Sequence, residues 1–154
     1  MAIALFSARF YLDQHNFGSD SCSVWCDRLR CCAPRNRLLE AIEGASRLVD
    51  PAFTWAEIGS VLRKKVRMGL LSAEEAQGAF EDFGQLPIEY LDTEQIRVRA
   101  WEIAVQYQMP TLYDAAFLAC AESITSDCQF WTADKTLLKQ LAKSFPSYVR
   151  ELGT

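Results

Sequence analysis

Four acidic residues stand at predicted junctions between strands and helices. Asp13 ends the predicted strand RFYLD, Asp134 follows FWTA directly, and Glu57 and Asp114 lie in the first turns of predicted helices. Parallel strands joined by helices place their carboxyl ends along one edge of a sheet, and ligands collect at that edge. We therefore expect the four carboxylates to meet there.

Carboxylates gathered in this way raise one another's pKa and need a compensating positive charge. Mg²⁺ or Mn²⁺ supplies that charge, accepts oxygen ligands and keeps positions open for water and phosphate. Such a site polarises a phosphoryl group and activates water for in-line attack. The acids thus favour hydrolysis of a phosphodiester, with Asp13, Glu57, Asp114 and Asp134 as catalytic and metal-binding residues.

Asp114 also has a purely structural interpretation. It opens the nearly apolar segment PTLYDAAFLACAE at 110–122. An acid at a helix N-terminus accepts hydrogen bonds from backbone N–H groups and suits the helix dipole, so Asp114 alone predicts a cap. The three other acids at similar junctions favour a metal ligand instead.

A run of basic residues lies on the predicted helix at 54–68, TWAEIGSVLRKKVRM. Its apolar side is predicted to carry Trp55, Ile58, Val61, Leu62 and Val66, with Thr54 as N-cap. The opposite side carries Arg63, Lys64, Lys65 and Arg67. Such a face is either simply solvated or holds phosphates, and the same alternatives apply to Lys135 beside the last acid.

The composition describes an ordinary globular chain. Its 154 residues fit one domain, 50% are hydrophobic and 23% are charged, which excludes a disordered protein. The net charge of −4 argues against a generic nucleic-acid coat protein but not against an enzyme with an acidic pocket. No apolar run approaches the length of a membrane span, and MAIALFSARFYL lacks a signal peptide's basic region, so we expect a cytoplasmic protein.

Four of the six cysteines, Cys22, Cys26, Cys31 and Cys32, fall close together. Their C-x3-C-x4-C-C spacing does not match paired zinc-binding arms, and the one histidine, His15, has no spaced partner. Reduced, partly buried thiols are the preferred interpretation.

Short apolar runs alternate with amphipathic segments after the N-terminal strand, which predicts an α/β fold. Strands are expected at 47–49, in LPIEYL, at 128–131 and, as an edge strand, in SYV; a capping box at Ser72 and Glu75 opens a helix at 73–84, and Thr93 starts the next. We expect Tyr90, Trp101, Tyr107 and Phe117 in the core rather than at an interface.

Residues 46–150 resemble the PIN domain, a metal-dependent ribonuclease fold that includes VapC-type toxins. The matching pieces are PAFTWAEIGSVLRKKVRMGLLS at 51–72, LYDAAFLACAE at 112–122 and FWTADKTLL at 130–138. The resemblance implies a three-layer α/β/α sandwich around a parallel sheet of about five strands. It also implies metal-site roles for Glu57, Asp114 and Asp134, with the Thr132 hydroxyl supporting them.

The first acid of the family pattern is harder to place. Asp13 comes at the end of a well-defined predicted strand, but more residues separate it from Glu57 in the sequence than the family pattern leads us to expect. Asp20 has the more usual spacing, but QHNFGS before it makes a poor strand. The position of an acid at a strand end favours Asp13. We therefore expect one domain over residues 1–154, with a divergent N-terminal part at 1–45.

Three functions stay open at this point. The first is a ribonuclease of PIN/VapC type, with RNA steered by Arg63, Lys64, Arg67 and Lys135. The second is a catalytically silent PIN-like binding module with a degraded first acid motif, and the third is a small phosphatase. The resemblance further implies a cognate antitoxin protein and a homodimer.

Overall fold

The computed structural model describes the backbone of residues 2–4 and residues 47–124, 128–132 and 134–151. The predictions that concern Asp13, Asp20, His15 and the four clustered cysteines lie outside these residues.

Five short strands form one parallel sheet in the described residues. They are β1 (Ala2–Ala4), β2 (Arg47–Pro51), β3 (Ile88–Leu91), β4 (Gln129–Thr132) and β5 (Val149–Glu151), in the spatial order β3-β2-β1-β4-β5. In the central strand β1, Ala4 pairs with Val49 on one side and with Phe130 on the other. The predicted α/β sandwich around a parallel sheet of five strands is confirmed, including an edge strand near the C-terminus.

The described part of the chain has five α-helices that connect or follow these strands. They are α1 (Thr54–Arg67), α2 (Ala73–Gly84), α3 (Glu94–Gln106), α4 (Tyr113–Ser123) and α5 (Lys135–Leu141), which continues as a 3-10 turn at Ala142–Ser144. None of the helices in the described residues is long and apolar enough to cross a membrane.

Local capping chemistry sets several helix ends. The Ser72 hydroxyl accepts from the Glu75 N–H at 3.0 Å, and the Glu75 carboxylate accepts from the Ser72 N–H at 2.7 Å. This is the predicted capping box at the start of α2. Thr93 caps α3 in the same manner, its hydroxyl accepting from the Ile96 N–H at 3.3 Å.

Two hydrophobic clusters hold the elements together. The larger joins α3, α4, β4, α5 and β5 and includes the fully buried Phe117 and Phe130. The smaller joins α1 to α2 through Ile58, Leu62 and Phe83, with Ala76. Because α4 contacts β2, β1 and β4, it is the helix fixed most directly to the centre of the sheet.

Several predicted burials are wrong. Trp55 is 55% exposed although it was expected on the apolar side of α1, and Lys65 is only 2% exposed although it was expected on the basic side. Lys65 follows Ile58 by seven residues, two helical turns, so it lies on the buried stripe. Trp101 and Tyr90 are exposed rather than in the core, whereas Phe117 is buried as expected.

Candidate active site at the carboxyl edge of the sheet

All described strands run in one direction, so their carboxyl ends share one edge of the sheet. The chain leaves β2 at Pro51 to enter α1 and leaves β4 at Thr132 to enter α5. The central strand β1 separates β2 from β4, which makes the neighbourhood of β1 the point where strand order reverses. Ligands of open parallel sheets bind outside this point.

Glu57 is carried to this edge by the turn between β2 and α1. The Thr54 hydroxyl, which is buried, donates to the Pro51 carbonyl at 2.8 Å and fixes that turn. The prediction that Thr54 is the N-cap is wrong, because the N-cap position belongs to Phe53 and Thr54 is the first helical residue. Glu57 lies in the first turn of α1, as predicted, and its side chain is half-buried.

Asp114 is the second residue of α4, whose N-cap is Leu112. It therefore does not hold the position of an N-cap residue, which the structural interpretation had assigned to it. Its side chain is half-buried, while the residues behind it from Phe117 to Ala121 are buried. The apolar body of α4 thus anchors a first turn that carries a carboxylate.

Aromatic contacts join the start of α1 to the start of α4. The ring of Phe53 meets Tyr113 edge-on at a centroid distance of 5.5 Å and Phe117 at 5.8 Å. Phe117 in turn contacts Phe130 of β4 at 6.3 Å. These contacts form a joint between the first turn of α1, which carries Glu57, and the first turn of α4, which carries Asp114.

A cavity of about 410 Å³ opens at this joint. Its lining includes Phe53, Glu57, Ser60, Lys64 and Tyr113. Asp114 follows Tyr113 directly but does not itself line the cavity. The cavity therefore combines an acid, a base two helical turns further along α1, and two aromatic rings.

Asp134 is the residue that acts as a cap. Its Oδ1 accepts from the Thr136 N–H at 2.7 Å and from the Leu137 N–H at 3.1 Å. The hydroxyl of the buried Thr132 accepts from the Asp134 N–H at 3.0 Å. The Thr132 hydroxyl thus positions the backbone of Asp134, and both capping bonds use one carboxylate oxygen.

Within residues 47–124, 128–132 and 134–151, no three acid, cysteine or histidine side chains are grouped closely enough to hold a metal ion. Glu57, Asp114 and Asp134 are brought to one edge of the sheet but are not closed into a three-ligand cluster. Asp13, the fourth predicted ligand, lies outside the described residues. As hard oxygen donors, the three carboxylates have the ligand chemistry that Mg²⁺ and Mn²⁺ prefer.

One protein family matches most of this chain. Residues 33–143 match the PIN domain, which is well over half of the chain. The chain belongs to the PIN domain family. No curated protein matches it.

The PIN match bears directly on the candidate acids. PIN domains are in general metal-dependent nucleases that bind RNA. The matched residues contain Glu57, Asp114 and Asp134 but begin after both Asp13 and Asp20. The PIN-like part of the chain therefore accounts for three of the four predicted acids.

The predicted RNA-binding residues of this PIN domain differ in their surroundings. Arg63, Lys64 and Arg67 are exposed on α1 and line a groove beside α2. Lys135 instead forms an ion pair with Glu151 at the end of β5. Its charge is thus partly compensated, which weakens the case for a phosphate contact.

Sequence reasoning missed one buried acid of this PIN domain, Asp50 near the end of β2. It is 1% exposed. Burial raises the pKa of the Cys120 thiol to about 12, and the charge of Asp50 adds to this effect. Burial and then Asp50 likewise raise the pKa of Tyr90. An acid that directly precedes a proline at a strand end was the available signal, but the sequence does not reveal its burial.

Proposed function

We propose that this chain is a metal-dependent endoribonuclease of the VapC toxin type, formed as one PIN-like domain over residues 1–154. It hydrolyses RNA phosphodiesters at a site made by Asp13, Glu57, Asp114 and Asp134. The observation that carries the proposal is the cavity at the joint of α1 and α4, where Glu57, Lys64 and Tyr113 share one lining. Asp114 follows Tyr113 directly in the first turn of α4. PIN domains as a family act as nucleases.

The carboxylates of Glu57, Asp114 and Asp134, with Asp13, would hold Mg²⁺ or Mn²⁺. When bound, such a cation polarises the phosphoryl group and promotes attack by water. Asp134 suits a ligand role because both of its capping bonds fall on Oδ1. Thr132 holds the Asp134 backbone in place through its hydroxyl.

The remaining residues of the cavity bind and orient the substrate. Lys64 lies seven residues after Glu57, on the same side of α1, and its ammonium group is suited to a phosphate oxygen. Tyr113 is 49% exposed and offers a ring face on which a base can stack. The site thereby fits a single-stranded RNA better than a small phosphate ester.

Substitution of Glu57 tests whether this carboxylate belongs to the proposed metal site. Glu57→Gln keeps the size of the side chain and removes its charge, so we expect Mg²⁺-dependent cleavage of a single-stranded RNA to be lost. The matched control is Glu94→Gln, because Glu94 also lies in the first turn of a helix but away from the cavity. Cleavage by Glu57→Gln at the rate of the control would refute the assignment.

A catalytically silent binding module is the second candidate. Two observations favour it: no three ligands are grouped within the described ranges, and the PIN match begins after Asp13 and Asp20. Calorimetric titration with Mn²⁺ discriminates between the two functions. The enzyme gives a binding heat that Glu57→Gln reduces, whereas the silent module gives none that depends on a carboxylate.

Partners of a VapC-type protein form part of the proposal. A small antitoxin protein would cover the acidic cavity in the cytoplasm, and the chain would pair as a homodimer. An apolar stripe on α3 supports pairing, because Val98, Trp101 and Val105 are all more than half exposed at spacings of three and four residues. Sedimentation of Trp101→Glu tests this, since a charge in the stripe should convert a dimer to a monomer.

A further inference from the structure

A second groove lies between α1 and α2, beside the candidate active site. Its volume is about 710 Å³. The exposed rings of Trp55 and Phe80 line it together with Arg63, Lys64 and Arg67. Two large aromatic side chains are therefore exposed beside three cations, although the net charge of the chain is −4.

The aromatic and basic residues follow one line along α1. Trp55, Gly59, Arg63 and Arg67 are spaced four residues apart, so they lie on the same side of the helix. A Cβ atom added at Gly59 would lie only 3.3 Å from the Phe80 ring. The glycine therefore lets the Phe80 ring approach α1 closely, between Trp55 and Arg63.

The charge of this groove is one-sided. Among the described residues that line it, three are basic and none is acidic. Gln77, which lines the groove from α2, donates to Glu81 at 2.9 Å, but Glu81 itself is not part of the lining. A polyanion that also carries flat apolar groups can bind both the cations and the aromatic rings of this groove.

We propose that this groove binds an unpaired nucleobase of single-stranded RNA on Trp55 and Phe80, with the neighbouring phosphates on Arg63 and Arg67. Base stacking on aromatic rings tolerates any sequence, and basic side chains follow the backbone. The inference rests on the proposed function, because it extends the same substrate beyond the cleavage site.

The groove adjoins the candidate active site on α1. Both cavities include Ala56, Ser60 and Lys64 in their linings. Lys64 thus lines both the cavity and the groove. An RNA strand can cross α1 from Glu57 to Trp55. The groove would hold the flanking nucleotide while the adjoining cavity holds the scissile phosphate.

RNA binding without cleavage tests the groove separately from catalysis. The probe is an end-labelled single-stranded RNA titrated in EDTA and followed by fluorescence anisotropy. Trp55→Ala is expected to weaken binding about tenfold, and Trp55→Phe, which keeps a ring, should restore most of the affinity. Phe145→Ala is the matched control, because Phe145 is 50% exposed and does not line the groove.

Substitution of a basic residue tests the groove independently, through the salt dependence of RNA binding. Arg67→Gln should lower the slope of log affinity against log salt concentration by about one, since one phosphate contact is removed. Thermal unfolding of each variant checks that the exposed substitutions leave the fold intact.

Two outcomes separate the groove from the proposed function. If Trp55→Ala binds RNA as tightly as the wild-type protein does while the wild-type protein cleaves RNA, the groove assignment is wrong and the groove is a protein-docking surface. If the wild-type protein cleaves nothing but Trp55→Ala still weakens RNA binding, the groove assignment stands and the nuclease proposal fails.

Discussion

The ring of Phe53 meets the ring of Phe117 edge-on, with 5.8 Å between their centroids and 83° between their planes. Phe53 directly precedes α1, and Phe117 is buried in α4. The contact therefore ties together the two helices whose first turns carry Glu57 and Asp114. The geometry of the candidate site depends on this joint as well as on the acids themselves.

A double-mutant cycle measures the strength of this joint. Phe53→Leu and Phe117→Leu, alone and combined, should give a coupling energy of about 0.5–1.5 kcal/mol in urea unfolding, the range expected for an aromatic pair. Phe53→Leu should also slow RNA cleavage, because Glu57 lies one turn beyond the altered ring. Phe83→Leu is the control partner, since Phe83 belongs to the other core cluster. Additive effects of Phe53→Leu and Phe117→Leu would show that the joint is not a coupled contact.

Asp134 allows its capping role to be separated from its proposed metal role. Asparagine caps helices about as well as aspartate, so Asp134→Asn should leave the unfolding free energy nearly unchanged. Asp134→Ala should lose the bonds to the Thr136 and Leu137 N–H groups and about 1 kcal/mol of stability. Both variants should lose Mg²⁺-dependent cleavage. Full activity in Asp134→Asn would make this residue a cap alone.

The free energy of unfolding is predicted to fall at high pH because of the raised pKa of Tyr148. Burial, and then its hydrogen bond to Glu122 at 2.8 Å, raise its pKa above the ordinary value of 10.0. The folded protein therefore keeps this proton where the unfolded chain loses it, so the contribution is complete below pH 10.0 and is lost as the pH rises above that value.

Tyr148→Phe isolates that contribution. The variant should be about 0.5–1.5 kcal/mol less stable than the wild-type protein at neutral pH, the usual effect of one hydrogen bond. Chemical unfolding at increasing pH should show the difference shrinking above the tyrosine's ordinary pKa. A difference that stays constant through alkaline pH would contradict the raised pKa.

Local signals explain which parts of the fold could be predicted. The capping residues Ser72 and Thr93 act within one helical turn, so their sequence neighbours reveal them. The strands β2 to β5 were predictable to within about two residues because short apolar runs between helices favour a parallel sheet. The predicted strand RFYLD lies outside the described residues, and the described central strand is Ala2–Ala4. Apolar residues at helical spacings of three and four also predicted that Ile58 and Leu62 lie on the apolar side of α1, and both are buried.

The features that depend on distant residues were not predictable. Trp55 was expected on the apolar side of α1 but is exposed, and the packing of α1 against other elements decides this. Lys65, by contrast, could have been placed on the buried side from its spacing of seven residues after Ile58. The partner of Lys135 is Glu151, a residue from another element that no local pattern indicates. For the site, the sequence predicted that Glu57, Asp114 and Asp134 stand at strand and helix ends. It did not reveal the aromatic joint or the cavity that relate them.

Cleavage of a single-stranded RNA by Asp114→Asn tests the central claim most directly. Asparagine keeps the shape of the side chain and removes the charge that would bind a divalent cation, and Asp114 is not the N-cap of α4. We predict that cleavage in Mg²⁺ falls to the level seen in EDTA, while the thermal unfolding temperature and RNA binding in EDTA stay close to those of the wild-type protein. Cleavage by a folded Asp114→Asn at the wild-type rate would contradict the assignment of this edge of the sheet as a metal-dependent nuclease site.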